Sequence, residues 1–397
     1  MPLKEISVED LSFGMFVSKL DRPWTETPFM FQGFVLNSDK QLDALKKFCK
    51  VVFVDPEKAE SSNRPSSPEE IAKVRGTTVY KEAASVEVEL PRAKTAITQS
   101  AAMVQDFSRT VQIHGAVDSP RTKEAVVQIT DSVVRNPDAI ALLTRIRQQS
   151  DEMLSRALGI SVMMTTFGRF LQLPREGLEL LGTLGMLQDV GKLKLPTELA
   201  LHGPINAAQI EEYKAHVNHS VEILSATTGI HPELPALASM HHERFDGTGY
   251  PRGLRGGAIP LHGLIAGIVD TYDSLTAPPP HGEHMSPANA LSAIFKGRGT
   301  LFHPALVEQF IQCIGVYPVG SIVELNSGEV GVVITQNTVR RLQPRVMVVQ
   351  DAKGNPIHPH RILDLMKEFK ATATEPYRIV RTLEDDAVKI DPRELYL

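Results

Sequence analysis

The sequence predicts a mainly α-helical protein: an all-α helical bundle with a small N-terminal α+β module and a small C-terminal β appendage. Three observations point there. Amphipathic stretches of helix length follow one another from residue 150 to about 315 with little strand signal among them. Short strand-like runs bracket one helical segment in the first 58 residues. After Tyr317-Pro318 the apolar residues alternate, which is the period of a half-buried strand.

In chain order, FGMFVSKL and CKVVFVDP flank the helical DKQLDALKKF, with Trp24, Phe29, Phe31 and Phe34 between them, so residues 1–60 read as the α+β module. Residues 61–91 read as a linker, because SSNRPSSPEE is rich in Ser and Pro and has no hydrophobic period. Residues 92–149 turn helical, break at Asn136-Pro137, and read as connecting helices. The bundle proper spans 150–316, through SRALGISVMMTTFGRFLQL, EGLELLGTLGMLQDV, AAQIEEYKAHVNHSVEILSA, LPALASMHHERF, LIAGIVDTYDSL and NALSAIFKG. Residues 317–397 carry SIVELNSGEVGVVITQN and PRVMVVQDAKGNPI, whose SG and KGN steps predict antiparallel hairpins, and a tail, TLEDDAVKIDPREL, expected to be solvated.

The chain of 397 residues is 42% hydrophobic and 22% charged, the composition of an ordinary globular protein. A net charge of -5 and a pI near 6.2 argue against a nucleic-acid or anionic-lipid coat protein, while leaving room for a small anionic ligand in a local basic pocket. Cys49 and Cys313 lie outside any CxxC pattern, so neither a disulfide framework nor a zinc knuckle is expected. MPLKEISVED lacks a basic start followed by an apolar core, and no apolar run approaches the roughly 20 residues that cross a bilayer. A cytoplasmic location is expected, with no membrane span; a homo-oligomer is left open.

The chemistry is concentrated in the bundle. The apolar run LGML ends in Gln188-Asp189, followed by Gly191-Lys192. Beyond it come His216, the pair His241-His242 and Asp270. Imidazoles and carboxylates together are the usual ligands of Zn, Fe or Mn in hydrolytic sites. A lone helical histidine is more often a hydrogen-bonded core or surface residue. The stretch HHERFDGTGYPRGL is different, because a plain interhelical turn accounts for its glycines and proline but not for two adjacent histidines. By contrast, GYPRGLRGGAI lacks the strand and helix that a phosphate-cradling loop requires, and His358-Pro359-His360 reads as a solvated turn.

HHERFDGTGYP, with the Asp-x-Gly-Lys step at Asp189 to Lys192 before it and VDTYDSLT after it, closely resembles the HD-GYP family, a branch of the HD phosphohydrolases. The resemblance covers roughly residues 150–316. It implies an HD-type helical bundle that binds two or three metal ions, often iron or manganese, and hydrolyses cyclic di-GMP. Carried over position by position, Asp189 matches the aspartate of the HD pair, Lys192 a lysine that approaches phosphate, and His216 the histidine of the next helix. His241 and His242 match the paired metal ligands, Asp270 the closing aspartate, and Gly249-Tyr250-Pro251 the naming tripeptide. In the family that loop also docks diguanylate cyclase (GGDEF-type) domains.

Two ligand positions are lost. Gln188 stands where the histidine of the HD pair belongs, and Ala157 where a more N-terminal histidine is expected. In the family pattern these two, with Asp189 and Asp270, make one metal position; Asp189, His216, His241 and His242 make the other. Two ions about 3.5 to 4 Å apart acidify a bridging water and neutralise the phosphodiester. The stretch that commonly supplies a phosphate-contacting arginine reads APPPHGEH, with Pro278 and Pro279, which have no donor to offer. The expectation is therefore a regulatory, cyclic di-GMP-related protein with one divalent ion (Fe, Mn or Zn) per chain and weak or absent hydrolysis. The alternative is a phosphodiesterase working with a reduced metal site, using Asp189 and Lys192. A third reading, in which the histidines are metal-free core residues, leaves four matched ligands unexplained.

Overall fold

The computed structural model describes the chain apart from residues 1–2, 13–14, 25–26, 28, 30–32, 37–38, 56–65, 147–151, 205, 278–284, 338–339, 368–370, 372–374, 384–386 and 389–397. Phe31, Pro278, Pro279, half of the Ser/Pro-rich stretch and most of the acidic tail thus lie outside the described residues. The chain divides into two compact units, Met1–Ser67 and Pro68–Leu397.

The first unit is a four-stranded antiparallel sheet with one helix. Strands β1 (Lys4–Ser7), β2 (Phe16–Leu20) and β3 (Phe34–Val35) precede helix α1 (Asp39–Phe48) and strand β4 (Val51–Val54), in the order β1-β4-β2-β3. Leu42, Leu45 and Phe48 recur every three residues, so α1 turns one apolar stripe inward onto Val17, Leu36 and Val52, all fully buried. Trp24 meets Phe29 and Phe34 edge-on, which closes this small core.

The second unit starts with α2 (Pro68–Ala72) and continues through α3 (Val86–His114), α4 (Ser119–Arg135), α5 (Pro137–Ile146), α6 (Glu152–Phe170), α7 (Arg175–Leu187), α8 (Thr197–His202), α9 (Ala207–Ala226), α10 (Leu234–Ala238), α11 (Leu261–Thr276), α12 (Pro287–Lys296) and α13 (Pro304–Ile314). The starts follow local chemistry. Asp118, Asn206 and Ser286 each accept the backbone N–H three residues on, and Asn136 accepts those of Asp138 and Ala139 behind Pro137. Helices α6, α11 and α13 meet where Phe310 packs edge-on against both Phe167 and Tyr272, all three below 3% exposed. This aromatic knot holds α6 and α11 side by side, which decides the site below.

Strands β5 (Ile322–Leu325), β6 (Val330–Thr335), β7 (Arg345–Gln350), β8 (Pro356–Asp364) and β9 (Ile379–Thr382) form an antiparallel sheet in the order β8-β7-β6-β5-β9. Arg345 of β7 pairs with Glu87 of α3, and Asp138 of α5 accepts the Gln336 N–H at 3.0 Å, so the sheet is tied to the helices. Three expectations change. Residues 61–91 are not linker throughout, because α2 and the first residues of α3 fall inside that range, where Val74, Val86 and Leu90 are buried. His358-Pro359-His360 lies within β8 instead of forming a turn: the strand pairs with β7 through Pro356 and through Arg361 to Asp364, and the three residues fall in the register shift between those pairs, where a proline interrupts no ladder pair. LPALASMHHERF is helical only over its first half: after Ala238 the chain tightens, with the Ser239 N–H and hydroxyl both donating to the Ala236 carbonyl, and the two histidines sit in the turns that follow.

Candidate metal centre

The end of α7 is held against α9 by a single buried serine. The Ser220 hydroxyl donates to the Gln188 carbonyl at 2.7 Å and accepts the Gly191 N–H at 2.9 Å. A Cβ at Gly191 would lie 2.1 Å from the His216 carbonyl oxygen and 2.4 Å from the Ser220 nitrogen, so only glycine permits this backbone approach. The approach carries Asp189 up to the face of α9 that presents His216.

His216 and His241 are both fully buried. The His216 Nδ1 lies 2.6 Å from the Tyr213 carbonyl and the His241 Nδ1 2.7 Å from the Ala238 carbonyl. A carbonyl oxygen only accepts, so each Nδ1 carries its proton, and in the neutral ring each Nε2 presents a lone pair. Those two Nε2 atoms are 3.4 Å apart, and Asp189 Oδ1 is 3.3 Å and 3.5 Å from them. Asp189 Oδ1 accepts no hydrogen bond, and neither does His242 Nε2 find a partner. One carboxylate and three imidazoles thus bring potential ligand atoms to face one another. That arrangement fits a bound cation, and Asp189, His216, His241 and His242 are the one metal-capable group among the described residues, with ligand atoms within 4.8 Å of one another.

Charges around the group reinforce it. Burial works to raise the Asp189 carboxyl, but the Lys192 ammonium, 2.8 Å from Oδ2, and the two imidazoles outweigh it and hold the group well below the usual carboxylate range. Burial also pulls at the Lys192 ammonium, and Asp189 more than compensates, keeping it charged. Burial, together with the neighbouring His241, pushes His242 down, so its ring is neutral and available as a ligand. Tyr250 stacks on the His242 ring at 4.6 Å and 22°. The loop carrying Tyr250 is shaped by Glu243, whose carboxylate accepts the Arg252 and Leu254 N–H groups, each at 2.8 Å. It is drawn close enough that a Cβ at Gly249 would fall 2.3 Å from the Arg244 nitrogen. Gly249, Tyr250 and Pro251 are thus a wall of the centre, with only Pro251 exposed among the three.

The opposite side is built differently. Asp270 is not in the four-residue group; its nearest approach to His242 is 3.8 Å. Asp270 Oδ1 accepts instead from Arg156 at 3.0 Å and from Gln188 Nε2 at 3.4 Å, while Gln188 Oε1 is left without a partner. Ala157, next to Arg156 on α6, offers no ligand. Arg156 also approaches Asp273 at 3.3 Å and Asp189 Oδ2 at 3.7 Å. Burial pulls this guanidinium down, but Asp273, Asp270 and Asp189 outweigh it and hold it fully charged.

Sequence reasoning passed over Arg156, Asp273 and Glu243. Each left a trace: Asp273 is one turn on from Asp270 and shares its helix face, Arg156 is a charge beside the vacated Ala157 position, and Glu243 follows the histidine pair.

Comparison with known proteins agrees with this architecture. The family described as HD domain matches residues 138–306, a KOW domain associated with HD domain matches 322–374, and a domain of unknown function (DUF3391) matches 3–121. The HD match thus falls on the helices α5 to α13 and the KOW match on the C-terminal sheet. It is 29% identical to Cyclic di-GMP phosphodiesterase PA4108 of Pseudomonas aeruginosa, over 91% of this chain and 89% of that one. It is 33% identical to Cyclic di-GMP phosphodiesterase response regulator RpfG of Xanthomonas campestris pv. campestris, over 36% of this chain and 38% of that one. Among solved structures, Bd1817, an HDG"Y"P protein from Bdellovibrio bacteriovorus, aligns with a TM-score of 0.47 and 12% identity, covering 78% of this chain and 98% of that one. The HD-domain match and the likeness to these cyclic di-GMP phosphodiesterases support the HD-GYP family for this chain. No described helix is long and apolar enough to cross a membrane.

Proposed function

We propose that this chain is a regulatory HD-GYP protein that holds one divalent ion, recognises cyclic di-GMP and hydrolyses it slowly or not at all. The observation that carries the reading is the asymmetry of the centre: four converging ligands on one side, and Ala157, Gln188 and a guanidinium on the other. Asp189, His216, His241 and His242 would hold the ion, whether Fe, Mn or Zn. When bound, it would polarise a phosphoryl oxygen of the ligand. Lys192 lies beside Asp189 and 5.4 Å over the Tyr213 ring, which fixes its ammonium where an anionic phosphodiester is charge-matched. The carbonyls of Tyr213 and Ala238 hold Nδ1 of His216 and of His241, which leaves each Nε2 for the ion and neither ring free to act as a base once the ion is bound. Similarity to named cyclic di-GMP phosphodiesterases supports this ligand class.

The exposed residues after Tyr250, Pro251 to Gly253, offer a surface for a GGDEF-type diguanylate cyclase domain, with Tyr250 itself turned onto His242. The alternative, an active phosphodiesterase with a reduced metal site, makes the opposite forecast in one experiment. Purified protein is analysed for metal, titrated with cyclic di-GMP by calorimetry, and incubated with the nucleotide plus Mn or Fe while products are separated. About one ion per chain, measurable binding and no turnover are expected; rapid linearisation of the nucleotide overturns the regulatory reading.

A further inference from the structure

We infer that the Arg156 guanidinium is a built-in second cation of this centre, which fills the carboxylate side and limits the chain to a single divalent ion. The inference rests on the one-ion reading above and adds the reason for it.

Asp189 is shared between two cations of different kinds. Its Oδ1 faces His216 and His241, while its Oδ2 faces Lys192 and, 3.7 Å away, Arg156. Across from it, Asp270 and Asp273 of α11 present oxygens to the same guanidinium at 3.0 Å and 3.3 Å, and the Ser274 hydroxyl accepts from it at 2.7 Å. Three carboxylates from two elements, with Asp270 only 2% exposed, converge on one side chain that cannot lose its charge. Like charges packed this closely out of water require a cation among them. Here the cation is covalently part of α6.

The same contacts close the place to a metal. Asp270 Oδ1 receives both the Arg156 Nη2 and the Gln188 Nε2, so two donors lie where an ion would need a lone pair. A guanidinium supplies charge and donors in a fixed plane, but it is no Lewis acid and cannot acidify water. Substituting it for an ion therefore preserves the attraction for a phosphodiester while removing the means of generating hydroxide. Arg156 acts on the centre as a positioning and charge-balancing residue.

The test is metal stoichiometry of the full chain, measured by equilibrium dialysis with Mn and by Mn paramagnetic resonance, which separates one ion from a spin-coupled pair. The unaltered protein is expected to bind one ion; none, or two, would overturn the one-ion reading itself. Given one ion, the double variant Ala157→His with Gln188→His is expected still to bind one while Arg156 is present. Adding Arg156→Gln to it is expected to admit a second ion and give a coupled spectrum, whereas adding Arg156→Lys, which keeps the charge, holds the count at one. A second ion in the double variant with Arg156 unchanged overturns the inference, as does a count of one in the folded triple variant with Gln. Should the triple variant fail to fold by circular dichroism, the double variant decides: a second ion there overturns the inference and a single-ion spectrum supports it.

Discussion

The two halves of the centre satisfy the same electrostatic demand by opposite means. On the histidine side, Asp189, His216, His241 and His242 gather possible ligand atoms within 4.8 Å of one another, and among the described residues Asp189 Oδ1 and His242 Nε2 have no hydrogen-bond partner. On the carboxylate side, Asp189, Asp270 and Asp273 turn negative charge toward a common point, and Arg156 completes it. One half depends on an external ion for its balance and the other is balanced by the fold. On the one-ion reading proposed above, the difference teaches that a position without a metal need not leave a hole. A buried set of carboxylates still has to be neutralised, and a long cationic side chain one residue away from the vacated ligand can do it.

The comparison can be broken first at the histidine side, where the largest effect is expected. His241→Ala removes a fully buried ligand from the four-residue group, so metal affinity should fall by more than about 100-fold, beyond what loss of an outer hydrogen-bond partner costs. Metal retained after dialysis checks it, and retention of the ion would mean that the four residues do not act as a set. Asp270→Asn probes the other half. Arg156 keeps two carboxylates, so the ion count should stay unchanged while stability drops by about 2 kcal/mol, read from the denaturation midpoint, as a buried charge pair is weakened. A change in metal content on this substitution would move Asp270 into the metal site.

The smallest effect lies away from the centre and serves as its control. Burial opposes ionisation of Glu87, but its bond from Arg345 prevails and brings the carboxyl down to about 2. A carboxyl lowered on folding contributes stability above its ordinary value of 4.5, and that stability is lost as the pH falls toward about 2. Arg345→Gln should therefore cost about 1 kcal/mol at pH 6, discounted because both side chains are about a quarter to a third open to solvent, and the gap from the parent protein should close as the pH approaches 2. Metal content should not respond. If it does, the sheet and the centre are coupled and the two halves are less self-contained than their contacts imply.

Much of this was legible in the residues. The amphipathic periods announced the helices, the alternation after Tyr317 announced the terminal sheet, and the histidine pair before a glycine-rich loop pointed to the cluster of metal-capable side chains. His358-Pro359-His360 misled because a strand can carry a proline where its register shifts, and the pairs on either side of that shift lie outside the local pattern. LPALASMHHERF misled because hydrophobic period continues past the point where Ser239 tightens the chain. Arg156 was hardest to see. Its significance rests on carboxylates 33, 114 and 117 positions away, which no local pattern registers.

By itself, the sequence determined which side chains were available: an aspartate and three histidines in family order, a glutamine and an alanine where the resemblance sets two more, and a net charge that leaves anion binding to a local pocket. The tertiary structure decided which atoms of those side chains meet. The packing of α6 against α7 and α11 sets Arg156 among three carboxylates, and the Gly191 approach to α9 sets Asp189 between imidazoles and ammonium. Charge pairing of this kind depends on distance and on exclusion of water, and both are properties of the packed helices, absent from any one of them.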